Sequence, residues 1–457
     1  MEIQTFDDSA LTTLMLSLGG LGALLIVGVL VRMWVPLARR LFLPASLIGG
    51  MIGLLLGPFF LGGIPSAVTE TWAGLAGVLI SIVFAPMLLG QRIPKLSEVA
   101  EEAGPQVWMA WFSSSAQVAV PALLVYFVFQ RLTNTDPLFS SIFEASWSGG
   151  HGTAAGMAQA WSALGWEDGS SLALGSATVS LIFGIIVGTI LVNVGARKGH
   201  LKYIDTSVKQ FESDFIKEDE QAAETTGRLK GQSLSNIGFH FSLILIAILI
   251  GAGLKMLVDQ VLEGVPLFPL AMIGGVLVHV AIRRTKIYDL VDKPTLNAIS
   301  AVFLDFLVVA AVASLAIPVI MENWIALVAI MLMMAVVSVT IVYFLAPRVF
   351  KKDWFENALV QFGTQTGVVA IALLLLRMAD PHMKSNGYRA LALSRPFVSP
   401  FIGGGLVTAL VPILVIEYGN FWVGVATAIF CLLLIPLAML LGMWRKPARK
   451  RRASQTW

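Results

Sequence analysis

Charge is scarce in this sequence and cysteine is nearly absent. Asp, Glu, Lys and Arg make up 13% of its 457 residues, against 57% hydrophobic residues and a mean hydropathy of +0.81. A water-facing surface cannot be built from that ratio, so lipid is the solvent expected for most of the chain. The lone cysteine, Cys431, excludes an intrachain disulfide and a cysteine zinc cluster and reads as an apolar filler. A formal net charge of +3, with basic residues in short groups between apolar runs and no interleaved aromatics, argues against a nucleic-acid surface. Also missing are the constellations an intramembrane enzyme needs: Gly-x-Ser-Gly with a His, two facing aspartates, or His-Glu-x-x-His. An enzyme is not expected, and neither is a resident cofactor.

Apolar runs, by contrast, are plentiful. A span needs roughly 20 mostly apolar residues. Candidates fall at 11–31, 41–62, 72–89, 107–129 and 171–194, and again at 235–257, 266–282, 296–320, 324–345, 397–416 and 421–442. The amino-terminal stretch carries Glu2, Asp7 and Asp8 in place of a basic region, and 11–31 is too long for a signal-peptide core, so it reads as a retained first span. The polar stretch 195–234 separates the two sets and reads as a cytoplasmic linker. Segments 143–164 and 355–378 are apolar but interrupted by Gly, Thr, Gln and His. Treated as re-entrant hairpins that enter and leave on one side, with the amino terminus outside, they place 29 of the 31 Lys and Arg on the cytoplasmic side. Only Arg131 and Lys255 remain outside. Counting either segment as a full crossing would scatter that asymmetry.

The chain also repeats itself. Pro44, Ile48, Gly49 and Gly50 recur as Pro269, Ile273, Gly274 and Gly275; Ile80, Ser81, Val83 and Phe84 as Ile299, Ser300, Val302 and Phe303; Gly152, Thr153 and Gly156 as Gly363, Thr364 and Gly367. Each match is short, but the three are collinear, and on the assigned topology the halves are inverted. The expected architecture is all-α and integral to the membrane: a first repeat at 1–194, the linker at 195–234, a second repeat at 235–416, and an extra span with a basic cytoplasmic tail at 417–457. Each repeat has five spans and one hairpin.

Backbone that leaves the helix inside a bilayer needs other partners, and a ligand site supplies them. The first tip offers Ser148, Gly149, Gly150, His151, Gly152 and Thr153; the second offers Gln361, Gly363, Thr364, Gln365, Thr366 and Gly367. Glycines let backbone approach a solute, and half-helix amino ends suit a carboxylate while freed carbonyls suit sodium. The same small residues also serve as close-packing positions between helices. Asp305, the only ionisable residue between Ile299 and Ile317, is the candidate for cation coupling, with sodium near Thr153, Asp305 and Thr364. Glu144 and Glu356 begin the hairpins and read as lip or capping residues. Arg395 could meet an anionic substrate from the cytoplasmic side or anchor the topology.

The run Ser148 to Thr153, Ser-Gly-Gly-His-Gly-Thr, followed by Ala154, Ala155 and Gly156, resembles the first hairpin motif of bacterial sodium/glutamate symporters. The resemblance extends more weakly to Phe362 and Gly363, to the Pro44 region and to the order of spans from Leu11 to Ile416. It implies two inverted five-span repeats with hairpins, a homodimer working by an elevator-like movement, and sodium-coupled uptake of glutamate across the inner membrane. The second hairpin departs from the pattern, reading Gly363-Thr364-Gln365-Thr366-Gly367-Val368-Val369 where a Gly-rich stretch and a Thr-Pro pair are expected. A cation- or proton-coupled transporter of another organic anion is therefore the alternative.

Overall fold

The structure, a computed structural model, describes residues 8–40, 43–91, 99–100, 102–203, 235–262 and 264–444. Most of the linker (204–234), Arg92, Lys95 and the basic tail lie outside the described residues. Among the described residues all regular structure is helical, and eight helices are long and apolar enough to cross a membrane. Two expected spans are shorter, at Ala45–Leu56 and Leu267–Ile282. Proline sets both starts, with Pro44 and Pro266 as extended residues just before the first turn, and Gly57 ends the former in extended conformation.

The two halves pass through corresponding elements in the same order. The first begins with Asp8–Trp34, Ala45–Leu56 and Ser66–Phe84; the second with Asn236–Val258, Leu267–Ile282 and Lys293–Ala313. In each, the first two helices meet backbone to backbone at glycines. A Cβ on Gly28 would strike the Ala45 carbonyl, and one on Gly49 the Leu24 carbonyl. In the second half Gly251 meets Ala271, and Gly274 meets the Ala247 carbonyl. Lipid removes the hydrophobic drive between helices, so this close approach and its dispersion contacts hold the pairs. The third helices cross over: Gly50 packs on Val309 and Val312 of Lys293–Ala313, while Gly275 packs on the Ala85 carbonyl at the end of Ser66–Phe84. These third helices run antiparallel, since Gly152 faces both Ile80 and Leu304, and further along Gly90 faces Val291 and Leu296.

Each half then continues with a long helix that ends in a π-helical turn: Gly104–Leu132 with its turn at Val125–Phe129, and Trp324–Val349 with its turn at Ile341–Leu345. An interrupted segment follows each. In the first half short helices at Ile142–Trp147, Gly150–Gly156 and Ala158–Ala163 fold back, so that Trp161 Nε1 donates to Ser141 Oγ at 2.9 Å. Gly150, at φ 69, supplies the left-handed residue that the tip needs. In the second half helical residues run Trp354–Ala379, yet a Cβ on Gly363 would strike the backbone of Ala372. Nine residues of straight helix would separate these by roughly 13 Å, so the chain reverses between them, and Val360, Ala372 and Leu376 pack as one cluster.

The last helix of each half differs. Gly169–Arg197 is unbroken, whereas the corresponding stretch is two helices, Gly387–Val398 and Leu406 onward, around a break at 399–405. The expected span at 397–416 therefore straddles this break. Beyond it the chain reverses at Gly419 (φ 78, ψ 158): Val407 packs near Ala110, Gly419 near Tyr126, then Gly424 against Leu123, and Leu434 accepts from Trp108 Nε1 at 2.7 Å. The first three helices of both halves pack together as one group, and the remaining helices as a second.

Candidate functional site

The second group of helices encloses a cavity of about 30 Å³, lined by Gln106, Ser148, Gln361, Thr364, Gln365, Ser394, Arg395 and Gly403 among others. Residues from both interrupted segments thus meet there. Gln117 joins them directly: its Oε1 accepts from Ser148 Oγ at 2.6 Å, and its Nε2 donates to the Gln365 carbonyl at 3.0 Å. Gln106 Nε2 donates to Gln361 Oε1 at 3.1 Å, which leaves Gln106 Oε1 and Gln361 Nε2 buried and without partners. Buried amide atoms in that state are costly unless a solute completes them. Arg395 brings the only positive charge to the lining, and among the described residues no carboxylate is paired with it.

Five expected site residues line this cavity: Ser148, Gln361, Thr364, Gln365 and Arg395. The others do not. His151 turns to the neighbouring helix, its Nε2 at 3.0 Å from Thr178 Oγ1. Gly149 packs on the Ala145 carbonyl and Thr153; Gly150 shapes the tip; Gly152 packs on Leu304 and Ile80. Gly363 and Gly367 shape the fold-back against Ala372 and Ile371, and Thr366 is spent on the Phe362 carbonyl at 2.8 Å while its own carbonyl accepts from Ser180. Thr153 is fully buried just behind the tip.

Asp305 does not join the site. It sits exposed on Lys293–Ala313 with Ser46 as its hydrogen-bond partner, so the expected sodium cluster of Thr153, Asp305 and Thr364 is not assembled. The rule that an intramembrane carboxylate is functional does not say which face of the helix carries it. No group of three or more His, Cys, Asp or Glu side chains able to hold a metal occurs among the described residues. A sodium site built from hydroxyls and carbonyls lies outside that test.

Two glutamines and a chain break contribute to the site without being among the expected residues, and Glu144 takes a different place from the one expected. Gln106 and Gln117 lie in a helix read as an ordinary span, although the run Ser113-Ser114-Ser115 marked it as polar at mid-length. The break at 399–405 was announced by Pro400 and by Gly403-Gly404-Gly405, the first two of which take φ 66 and 105. Glu144 is no lip residue: it is 3% exposed, and its Oε1 accepts from Ser114 Oγ at 2.8 Å and from Gly403 N at 2.7 Å.

A second, wider hollow adjoins the first through Gln106. It is lined by Glu102, Lys351, Lys352, Asn357, Asn386 and Arg389. Arg389 Nε bridges Glu102 Oε2 at 2.5 Å across it. Beneath it the chain that leaves Gly169–Arg197 is clamped to the foot of the second interrupted segment: Lys202 Nζ donates to Asp353 Oδ1 at 3.0 Å, and Lys202 N to Glu356 Oε1 at 2.9 Å. That pairing raises the Lys202 pKa, first through the Asp353 hydrogen bond and then through its charge.

A many-span helical protein with a polar cavity between two broken segments belongs to the membrane transporters. The chain is a member of the sodium/glutamate symporter family, whose model matches residues 8–372. It is thus a transporter rather than an enzyme. No curated protein sequence matches this chain. Among solved structures, the sodium proton antiporter MjNhaP1 from Methanocaldococcus jannaschii is 15% identical, with 90% of this chain and 99% of that one covered and a TM-score of 0.36.

Proposed function

We propose that the protein takes up glutamate with sodium across the bacterial inner membrane by alternating access. The observation that carries this reading is Arg395: a guanidinium without a carboxylate partner among the described residues lines a cavity where the two interrupted segments meet. A substrate carboxylate completes it as a charge-assisted pair, and the unspent amide atoms of Gln106 and Gln361 orient the rest. At about 30 Å³ the cavity has room for one or two waters. Glutamate therefore enters only when the tips part.

The antiparallel third helices and the crossed glycine contacts support an inverted repeat, in which the interrupted segments are re-entrant hairpins approaching from opposite sides. The hollow lined by Lys351, Lys352 and Arg389 is then the cytoplasmic vestibule, with the amino terminus outside and the carboxyl terminus inside. The hairpin-bearing group of helices moves against the other as an elevator, and the protein works as a homodimer. The test is uptake of radiolabelled glutamate into proteoliposomes, with and without an inward sodium gradient. Sodium-dependent uptake that Thr364→Val weakens supports the reading, and no uptake by folded protein refutes it.

One observation favours a second reading, a symporter of an organic anion without an amino group: the cavity lining holds no carboxylate to receive an ammonium. Competition of glutamate uptake by dicarboxylates that lack nitrogen separates the two.

A further inference from the structure

A coupling sodium needs hard oxygen ligands, and the cavity walls offer few that are not already engaged. Directly behind the first tip they are concentrated. Glu144 Oε2 is buried and has no hydrogen-bond partner, although Oε1 of the same carboxyl has two. Thr153 is completely buried, and its Oγ1 also lacks a partner. Both residues sit against the same stretch of backbone. Gly403 N donates to Glu144, a Cβ on Gly404 would collide with the Thr153 hydroxyl, and the Thr408 hydroxyl faces the Glu144 carboxyl while accepting from Gly404 N at 3.0 Å. Among the described residues no Lys or Arg pairs with Glu144. A carboxyl group withdrawn from water in this way stays ionised only if a positive charge compensates it.

We propose that the coupling sodium ion binds between Glu144 and Thr153, against the Gly403–Gly405 break. The single carboxylate makes the site neutral with a monovalent cation, and hydroxyl and carboxylate oxygens suit sodium better than a soft metal. The proposal rests on the sodium-coupled reading above and gives it a coupling device. Gly403 both donates to Glu144 and lines the substrate cavity. Ser148, which lines the same cavity and lies directly against Gly403, donates its N–H to the Glu144 carbonyl at 3.1 Å. An ion at Glu144 therefore sets the positions of two adjoining cavity residues, Ser148 and Gly403, and reciprocally the substrate that holds them strengthens the hold on the ion.

The experiment measures thermal stability of purified full-length protein in sodium against potassium at equal ionic strength, together with sodium-dependent substrate binding, for wild type, Glu144→Gln, Thr153→Val and Gly74→Ala. Wild type and Gly74→Ala, which alters a position with no neighbour within 4 Å, should be stabilised by sodium. Glu144→Gln should lose the shift, and Thr153→Val, near in shape and expected to fold, should need at least tenfold more sodium. A wild-type response retained by both Glu144→Gln and Thr153→Val overturns the site. If Glu144→Gln does not fold, Thr153→Val alone decides, and an unchanged sodium requirement there overturns the site as well. A wild type indifferent to sodium in stability, binding and uptake overturns the symporter reading itself, a separate result.

Discussion

Replacing Arg395 by alanine is the most discriminating perturbation of the cavity. If its guanidinium receives a substrate carboxylate out of water, truncation removes a buried charge-assisted pair and leaves the substrate's charge uncompensated, at a cost of about 2–5 kcal/mol. At about 1.4 kcal/mol per tenfold, that corresponds to a loss of affinity between roughly 30-fold and several thousandfold. Arg395→Lys keeps the charge but not the planar fork, and should fall between wild type and alanine. The empty protein should behave in the opposite sense. Because no carboxylate among the described residues partners Arg395, the charge burdens the protein until substrate arrives, and the alanine variant should melt no lower than wild type. The assay is calorimetric binding of glutamate in saturating sodium, with melting temperature read on the same samples. A change of less than about threefold in affinity, or a clear drop in the melting temperature of the empty protein, would refute the assignment, because the guanidinium would then be serving the fold.

Gln117→Leu removes a side chain bonded to both tips and leaves the Gln365 carbonyl unmet, at about 1–3 kcal/mol; KM for uptake should rise by tenfold or more while the protein still folds. Gly274→Ala should lower the melting temperature in detergent by several degrees, since its Cβ would meet the Ala247 carbonyl and overpacking costs about 1–3 kcal/mol. Gly74→Ala, with no neighbour within 4 Å, should leave it unchanged. The Lys202–Asp353 clamp should show in melting temperatures as a small, salt-sensitive difference between wild type and Lys202→Met. Because the Lys202 pKa is raised above its ordinary 10.5, that difference should be fully present at neutral pH and vanish only as pH climbs through the raised value.

The sites legible in the sequence were those where a polar or glycine-rich run interrupts an apolar one. Ser148, Thr364 and Gln365 could be found because lipid tolerates broken backbone only beside protein, water or a ligand. The order of elements was legible for a similar reason, since glycines that must approach backbone cannot drift, and Gly49 and Gly274 mark corresponding contacts. What stayed hidden was direction. Helical periodicity alone did not reveal that Gln117 faces inward, that His151 turns to Thr178, or that Asp305 looks outward. Glu144 was misjudged because its position near the start of a segment suggests a rim, whereas the fold-back sinks it against Gly403. The break at 399–405 was masked by an average hydropathy high enough to read as a span.

The contact between the two groups of helices has a mechanical consequence. Where the first tip meets its neighbours, Gly152 and Gly156 lie against the methyl groups of Ile80 and Leu304. A bare backbone against branched aliphatic chains has no directed bonds to break and little corrugation to climb. Under the proposed elevator movement such a surface would serve as a bearing, with low friction along it, while the bonds that hold Ser148, Gln117 and Gln365 together would travel with the load. Adding one methyl group at Gly156, where Ile80 leaves no room, would act like grit in that bearing, slowing turnover before it disturbed binding.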